Sequence, residues 1–205
     1  MTLPDLYLAS QSPRRRELLT QAGLTFELVA PGAEYDAAGG EHRSEAGEPT
    51  ELAKRRAERK ARGAVADAVV GGRGGVPILA VDTVVDLDGV ELGKPVDRGA
   101  AERSLRQLMG RSHRVHTAHY MLWRGADGGE GAAYELASAT VRCAQPPAQE
   151  LERYLDSGAW RGKAGAYGIQ DEAQQFLELV DGSFDAVVGL HVAAVRRMLA
   201  RSRSQ

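Results

Sequence analysis

The chain is short of several things, and each shortage excludes a class of protein. One cysteine, Cys143, in 205 residues permits neither an internal disulfide nor a Cys-rich zinc site. No apolar run approaches the ~20 residues that span a bilayer. The longest are stretches such as Ile78 to Val81. No charged-then-apolar leader precedes Leu6, so neither a signal peptide nor a transit peptide is expected. A soluble cytoplasmic protein without a membrane partner is the expectation. Basic excess is missing too. A net charge of −2 and a pI near 6.2 argue against a dedicated nucleic-acid binder. The four glycines among residues 71–75 lack the Gly-Lys-Ser/Thr ending of a phosphate loop and precede a strand, so they read as a turn. No solenoid or propeller repeat is evident.

What remains is an ordinary globular mix, with 43% hydrophobic and 26% charged residues. With no clean linker, the expectation is a single domain over residues 1–205. Leu6 to Ala9 reads as a buried strand. Ser12 is placed as the N-cap of a helix that opens on Pro13 and stops at Gly23. Tyr35 to Pro49 reads as a loop, and Thr50 to Val69 as a long helix with Ala53, Ala57, Ala61, Ala64 and Ala68 as its apolar stripe. Pro77 to Leu87 gives the strongest strand signal. Arg114 to Trp123 and Tyr134 to Cys143 read as a hairpin, and Pro147 to Ser157 as a helix ended by Gly158. Phe176 to Val180 and Ala186 to Val188 read as late strands before a final helix to about Ala200. Strands and helices mixed through the whole length give an α/β or α+β sheet protein.

Four places carry unexpected chemistry. Arg14, Arg15 and Arg16 crowd a helix N-terminus, where the helix dipole disfavours cations. A solvated basic face would explain them, but so would a phosphate held by the arginines, free N–H groups and Ser10. Asp82 interrupts an otherwise buried strand and needs a cation, a hydrogen-bond network or a metal. Lys60 lies at the edge of the alanine stripe, where it either reaches a cleft or snorkels to solvent. Arg55, Arg59 and Arg62 lie further round, on a solvated face, and Asp86 and Asp88 read as solvated near the turn. Gly93-Lys94-Pro95 and Lys163 to Gln170 leave room for close backbone approach to a ligand, as tight turns also would. His113, His116 and His119 read as structural rather than as a metal triad.

In order, these pieces resemble the Maf family of nucleotide pyrophosphatases. The matching segments are Leu8-Ala9-Ser10-Gln11-Ser12-Pro13-Arg14-Arg15, Lys60-Ala61, Asp82-Thr83, Leu92-Gly93-Lys94-Pro95 and Lys163-Ala164-Gly165-Ala166-Tyr167-Gly168-Ile169-Gln170. Gly182-Ser183 and Val187-Val188-Gly189-Leu190 extend the match. His191 stands where the family commonly has proline, and Asp171 where glycine is common. The resemblance implies an α/β fold of the Maf and inosine-triphosphatase-like kind, a twisted mixed sheet with a cleft between two lobes. It implies a nucleoside triphosphate as substrate, cut between the α and β phosphates, and a cytoplasmic homodimer. By the same resemblance Asp82, Lys60 and Lys94 are catalytic, and Ser10, Arg14, Arg15, Thr83 and Gln170 bind substrate. Asp82 with Glu34 would hold Mg²⁺ or Mn²⁺, Asp36 being the other candidate for the second carboxylate. Asp82-Thr83 points to the branch acting on dTTP and UTP. The branch acting on 7-methyl-GTP, and a nucleotide-sensing regulator of septum formation, remain the alternatives.

Overall fold

The computed structural model describes residues 3–31, 47–65, 75–125, 128–172 and 174–204. Seven strands form one mixed sheet: β1 Leu6–Ala9, β2 Phe26–Leu28, β3 Ile78–Leu87, β4 Val90–Leu92, β5 Ser112–Arg124, β6 Glu130–Cys143 and β7 Leu177–Asp181. Their order is β2-β1-β3-β5-β6-β7, with β4 also paired to β3. β1 runs parallel to β2 and β3, joined by crossovers, and the rest pair antiparallel, β3–β4 and β5–β6 as hairpins and β3–β5 and β6–β7 across an intervening helix. Among the described residues six α-helices accompany them: α1 Pro13–Gln21, α2 Pro49–Gly63, α3 Arg98–Leu108, α4 Ala148–Ser157, α5 Phe184–Val188 and α6 Val192–Ser202. No helix among the described residues is long and apolar enough to cross a membrane.

Strand alternation sorts the core into layers. Tyr7, Ala9, Ile78, Ala80 and Val84 face one way and meet the alanine stripe of α2, Ala53, Ala57, Ala61 and Ala64. Small side chains there let the helix lie close to the sheet. The opposite face carries two separate apolar clusters. Leu6, Leu8, Leu79 and Val81 pack under Leu19 of α1 and Val195 and Met198 of α6. Further along the same strands, Val85, Leu87, Val115 and Val141 pack under α3 and α4. Between the two clusters lie Thr83 and Thr117, hydroxyls 3.0 Å apart.

β3 has an uneven edge. β5 covers one side from Ile78 to Asp86. On the other side β1 stops opposite Ala80 and β4 begins opposite Val85. Residues 81–84 therefore have no strand partner on that side among the described residues. This gap lies in the middle of a central strand.

Three sequence expectations change. Ala186 to Val188 is helical, not a strand: it belongs to α5. Local hydrogen bonds override its β-branched residues, since Gly189 and Leu190 donate N–H to the Asp185 carbonyl, both at 3.0 Å. The Asp185 carboxylate accepts from Val192 N–H at 2.7 Å. α3 occupies a segment to which the sequence reading assigned no element, capped by Asp97, whose carboxylate accepts from Ala100 N–H at 2.6 Å. Asp86 is half-buried rather than solvated, 3.2 Å from His116 Nε2. The loop read over residues 35–46, the end of the long helix at Ala68 and Val69, and the glycines at 71–74 lie outside the described residues.

Candidate active site

The gap on β3 collects side chains from four elements. Asp82 projects from the α2 face of β3 and is 6% exposed. From α2, Lys60 donates through Nζ to Asp82 Oδ1 at 2.5 Å and to the Val81 carbonyl at 3.4 Å. Lys60 reaches inward because it lies three and seven residues beyond Ala57 and Ala53, on the stripe that meets the sheet. Burial would raise the Asp82 carboxyl, but the Lys60 ammonium, with Arg15 and Arg56 behind it, holds it below the usual carboxylate range. Burial drives Lys60 the other way, down to about 8, against the raising influence of Asp82. Asp82 is therefore a buried, ionised carboxylate at neutral pH.

From the end of β1, the Ser10–Ser12 turn leads into α1. Ser12 stands at the N-cap position, although its side chain makes no capping bond and the first turn holds no acidic residue. Its N–H instead donates to Ser10 Oγ at 3.2 Å. Arg15 turns back over the gap. It donates from Nη1 to Ser10 Oγ at 2.9 Å, from Nε to the Gly189 carbonyl at 2.8 Å and from Nη2 to Thr83 Oγ1 at 3.4 Å. Thr83 points to the face opposite Asp82, yet both flank the same opening because the strand edge between them is unpaired. Lys94, exposed just beyond β4, completes the ring. Desolvation and the charges of Arg15, Arg14 and Arg56 push its ammonium down while Asp82 pulls it up.

The structure thus joins Ser10, Arg15 and Thr83 in one bonded set and Lys60 and Asp82 in another, with Lys94 and Arg14 in the same electrostatic field. Gln170 stands exposed on the turn after Gly168, with no hydrogen bond to that group among those described. Glu34 and Asp36 lie outside the described residues. One residue was missed. Arg56 is 3% exposed, with Nη1 and Nη2 at 2.5 and 2.9 Å from the Glu91 oxygens and Nη1 3.9 Å from Asp82 Oδ2. Its spacing was the available signal: three after Ala53 and four before Lys60, it shares their face.

The histidines are built into the sheet. His119 Nε2 accepts from His191 N–H at 2.9 Å, which leaves Nδ1 to donate to the Glu135 carbonyl at 3.3 Å. His113 Nε2 lies 2.6 Å from the Tyr167 hydroxyl. Burial pushes both below their ordinary value, His119 to about 3 and His113 to about 4.

For a divalent cation, the donor chemistry among the described residues amounts to Asp82, since no group of three His, Cys, Asp or Glu side chains converges there. A single carboxylate suits an ion that completes its oxygen shell with water and substrate phosphates, as Mg²⁺ does. The residues present fit such an ion.

Comparison with known proteins places almost the whole chain in one family. A family model described as Maf-like protein matches residues 5–202. A dTTP/UTP pyrophosphatase of Burkholderia orbicola is 41% identical over 204 residues, 98% of this chain and 94% of that protein. Another dTTP/UTP pyrophosphatase, of Cupriavidus metallidurans, is 43% identical over 185 residues, 90% of each chain. A much looser likeness, at 17% identity and a TM-score of 0.38, covers 97% of this chain and 94% of a nucleoside-triphosphatase / dITP/XTP pyrophosphatase from Mycobacterium abscessus, and carries no argument. With Ser10, Arg15, Lys60 and Asp82 gathered at one break in the sheet and the family match running almost end to end, the chain belongs to the Maf-like protein family.

Proposed function

We propose that the protein hydrolyses dTTP and UTP to the nucleoside monophosphate and pyrophosphate, at the gap on β3. The observation that carries this is the charge pattern: a buried, ionised Asp82 surrounded by Lys60, Arg15, Arg56 and Lys94. A triphosphate needs dense positive charge, and phosphoryl transfer is accelerated chiefly by positioning and electrostatic stabilisation. The names carried by relatives 41% and 43% identical support the choice of substrate.

In this reading the phosphates lie across the gap. Ser10, Arg14, Arg15 and the first N–H groups of α1 bind phosphate oxygens, and Lys60 and Lys94 neutralise charge as the α–β bridging oxygen leaves. Asp82 accepts a hydrogen bond from the attacking water and aims it at the α-phosphorus, taking its proton as the bond forms. Gln170 meets the pyrimidine edge with both a donor and an acceptor, and Thr83 keeps Arg15 in place beneath it. Mg²⁺ or Mn²⁺ held by Asp82, with Glu34 as second carboxylate, supplies Lewis-acid polarisation of the phosphates when bound.

The test is pyrophosphate release from dTTP, UTP and 7-methyl-GTP at a fixed concentration of Mg²⁺ and then of Mn²⁺. The expected result is a kcat/KM for the two pyrimidine nucleotides well above that for 7-methyl-GTP. A preference for 7-methyl-GTP would overturn the base assignment while sparing the hydrolysis. Tight binding of all three without product, in either metal, would favour a nucleotide sensor.

A further inference from the structure

A second, half-buried polar network lies away from Asp82, around Asp171. We infer that Asp171 is a positioning residue for substrate: it pre-orders the turn that presents Gln170 to the base. The inference rests on the reading of Gln170 as the base contact.

The turn is Gly168–Asp171, closed by a bond from Asp171 N–H to the Gly168 carbonyl at 3.0 Å. Its two corners are Ile169 and Gln170. Ile169 packs against the cluster under α3 and α4, while Gln170 is exposed. One corner is thus anchored in the core and the other projects.

Asp171 holds the turn from one side. Lys163 Nζ sits 2.5 Å from each of its carboxylate oxygens. Oδ2 also accepts from the Tyr154 hydroxyl at 3.2 Å and from Gly168 N–H at 3.1 Å. The carboxylate comes so close that a Cβ at residue 168 would lie 2.8 Å from Oδ1. Buried Gln174 holds the other side. Its Nε2 donates to the Ile169 carbonyl at 3.1 Å, and its Oε1 accepts from Phe176 and Leu177 N–H at 3.1 and 3.0 Å.

The same segment is tied to the phosphate end of the site. Gly165 donates its N–H to the Gly93 carbonyl at 3.1 Å, one residue before Lys94. Gly165 has φ +65°, and a Cβ there would meet the Val85 methyls at 3.0 and 3.1 Å, so the segment lies directly on β3. The segment that carries Gln170 is therefore tied to the residue that precedes Lys94. Ordering a contact residue before the ligand arrives removes that entropy cost from binding. The expected signature is a rise in KM with little change in kcat, since the reacting atoms lie elsewhere.

The experiment is steady-state hydrolysis of dTTP by Asp171→Gly, Asp171→Asn, Gln170→Ala and the double variant Asp171→Gly/Gln170→Ala, with thermal melting of each. Asp171→Gly is expected to raise KM about tenfold with kcat within about twofold, a loss near 1.4 kcal/mol. Asp171→Asn keeps acceptors for Gly168 and Tyr154 but loses its charge towards Lys163. It should raise KM about threefold, and it is read in place of Asp171→Gly if that variant does not fold. The double variant should be no worse than Gln170→Ala, because Asp171 acts through that side chain. A KM near wild type in the Asp171 variants, losses that multiply in the double variant, or a fall in kcat that tracks lost thermal stability would each overturn the proposal. An unchanged KM in Gln170→Ala would overturn the base contact itself, and the proposal with it.

Discussion

Two lysine–aspartate pairs, the buried Lys60–Asp82 and the half-buried Lys163–Asp171, have the same 2.5 Å separation and opposite characters. Asp171 is saturated. Both its oxygens face one lysine, and a hydroxyl and a backbone N–H take up further acceptor capacity, so charge balances within the pair. Around Asp82 the balance fails. Lys60, Arg15, Arg56 and Lys94 crowd Asp82 and Glu91, four cations to two carboxylates among the described residues. A closed pair holds a loop, whereas an unbalanced one is completed by an anion. Distance does not distinguish them; the surrounding charge does.

The largest effect should come from Asp82→Asn. It is nearly isosteric but removes the water acceptor, so kcat for dTTP should fall more than about 100-fold, roughly 2.7 kcal/mol. A variant keeping a tenth of wild-type kcat would show Asp82 to be merely structural. Loss of fold should not confuse the result, because Lys60, already at about 8, can give up its proton once Asp82 no longer holds it.

The two networks part most clearly at their other lysines. Lys94→Met should lower kcat about 10- to 100-fold with an unchanged melting temperature, since Lys94 is exposed and, in the proposed reading, neutralises phosphate charge. Lys163→Met should do the reverse, costing roughly 2 kcal/mol of stability by leaving the half-buried Asp171 without its cation, with kcat little changed. Matching kinetic and thermal profiles for the two variants would erase the distinction between an unbalanced and a closed pair.

Arg56 tests it more finely. Arg56→Leu alone should cost roughly 3 kcal/mol, because it leaves Glu91 without its buried partner, and Arg56→Leu/Glu91→Leu should recover most of that. Urea unfolding of both variants measures it. If the pair only completes the core, the double variant also keeps wild-type kcat.

The smallest effect is on pH dependence. His113 and His119 have folded values pushed below 6.5, so below that pH the unfolded chain binds protons that the folded chain refuses. Their contribution is complete above about 6.5 and is lost as pH falls towards about 4 for His113 and about 3 for His119. Each contributes a slope of about 1.4 kcal/mol per pH unit in that window. His113→Gln should flatten the urea-midpoint profile between pH 6.5 and 5 by about one proton, and an unaltered slope would show His113 to be charged in the fold.

Most of the sheet was legible because alternation and turn glycines are local signals. β3, the β5–β6 hairpin and the α2 stripe all follow from spacing. Ala186 to Val188 misled because β-branched residues suggested a strand, while the decisive bonds reach only to Gly189 and Leu190 and are visible only once the chain turns. In the site, Asp82 and Lys60 were detectable as polar residues in apolar patterns. Nothing local marks Asp171, whose partners Tyr154 and Lys163 come from a helix end and the turn after it. Arg56 was legible by spacing but hidden among neighbouring arginines that are solvated.

If the interrupted edge of β3 is where the phosphates lie, the sheet acts as a ruler for its ligand. The opening is bounded by where two unrelated segments stop, β1 at Ala9 and β4 at Leu92, and its length is counted in whole residues of strand. Lengthening either strand by one paired residue would shorten it by roughly 3.3 Å. In the proposed reading, the stretch of phosphate chain that the gap admits is therefore set by where these two strands end.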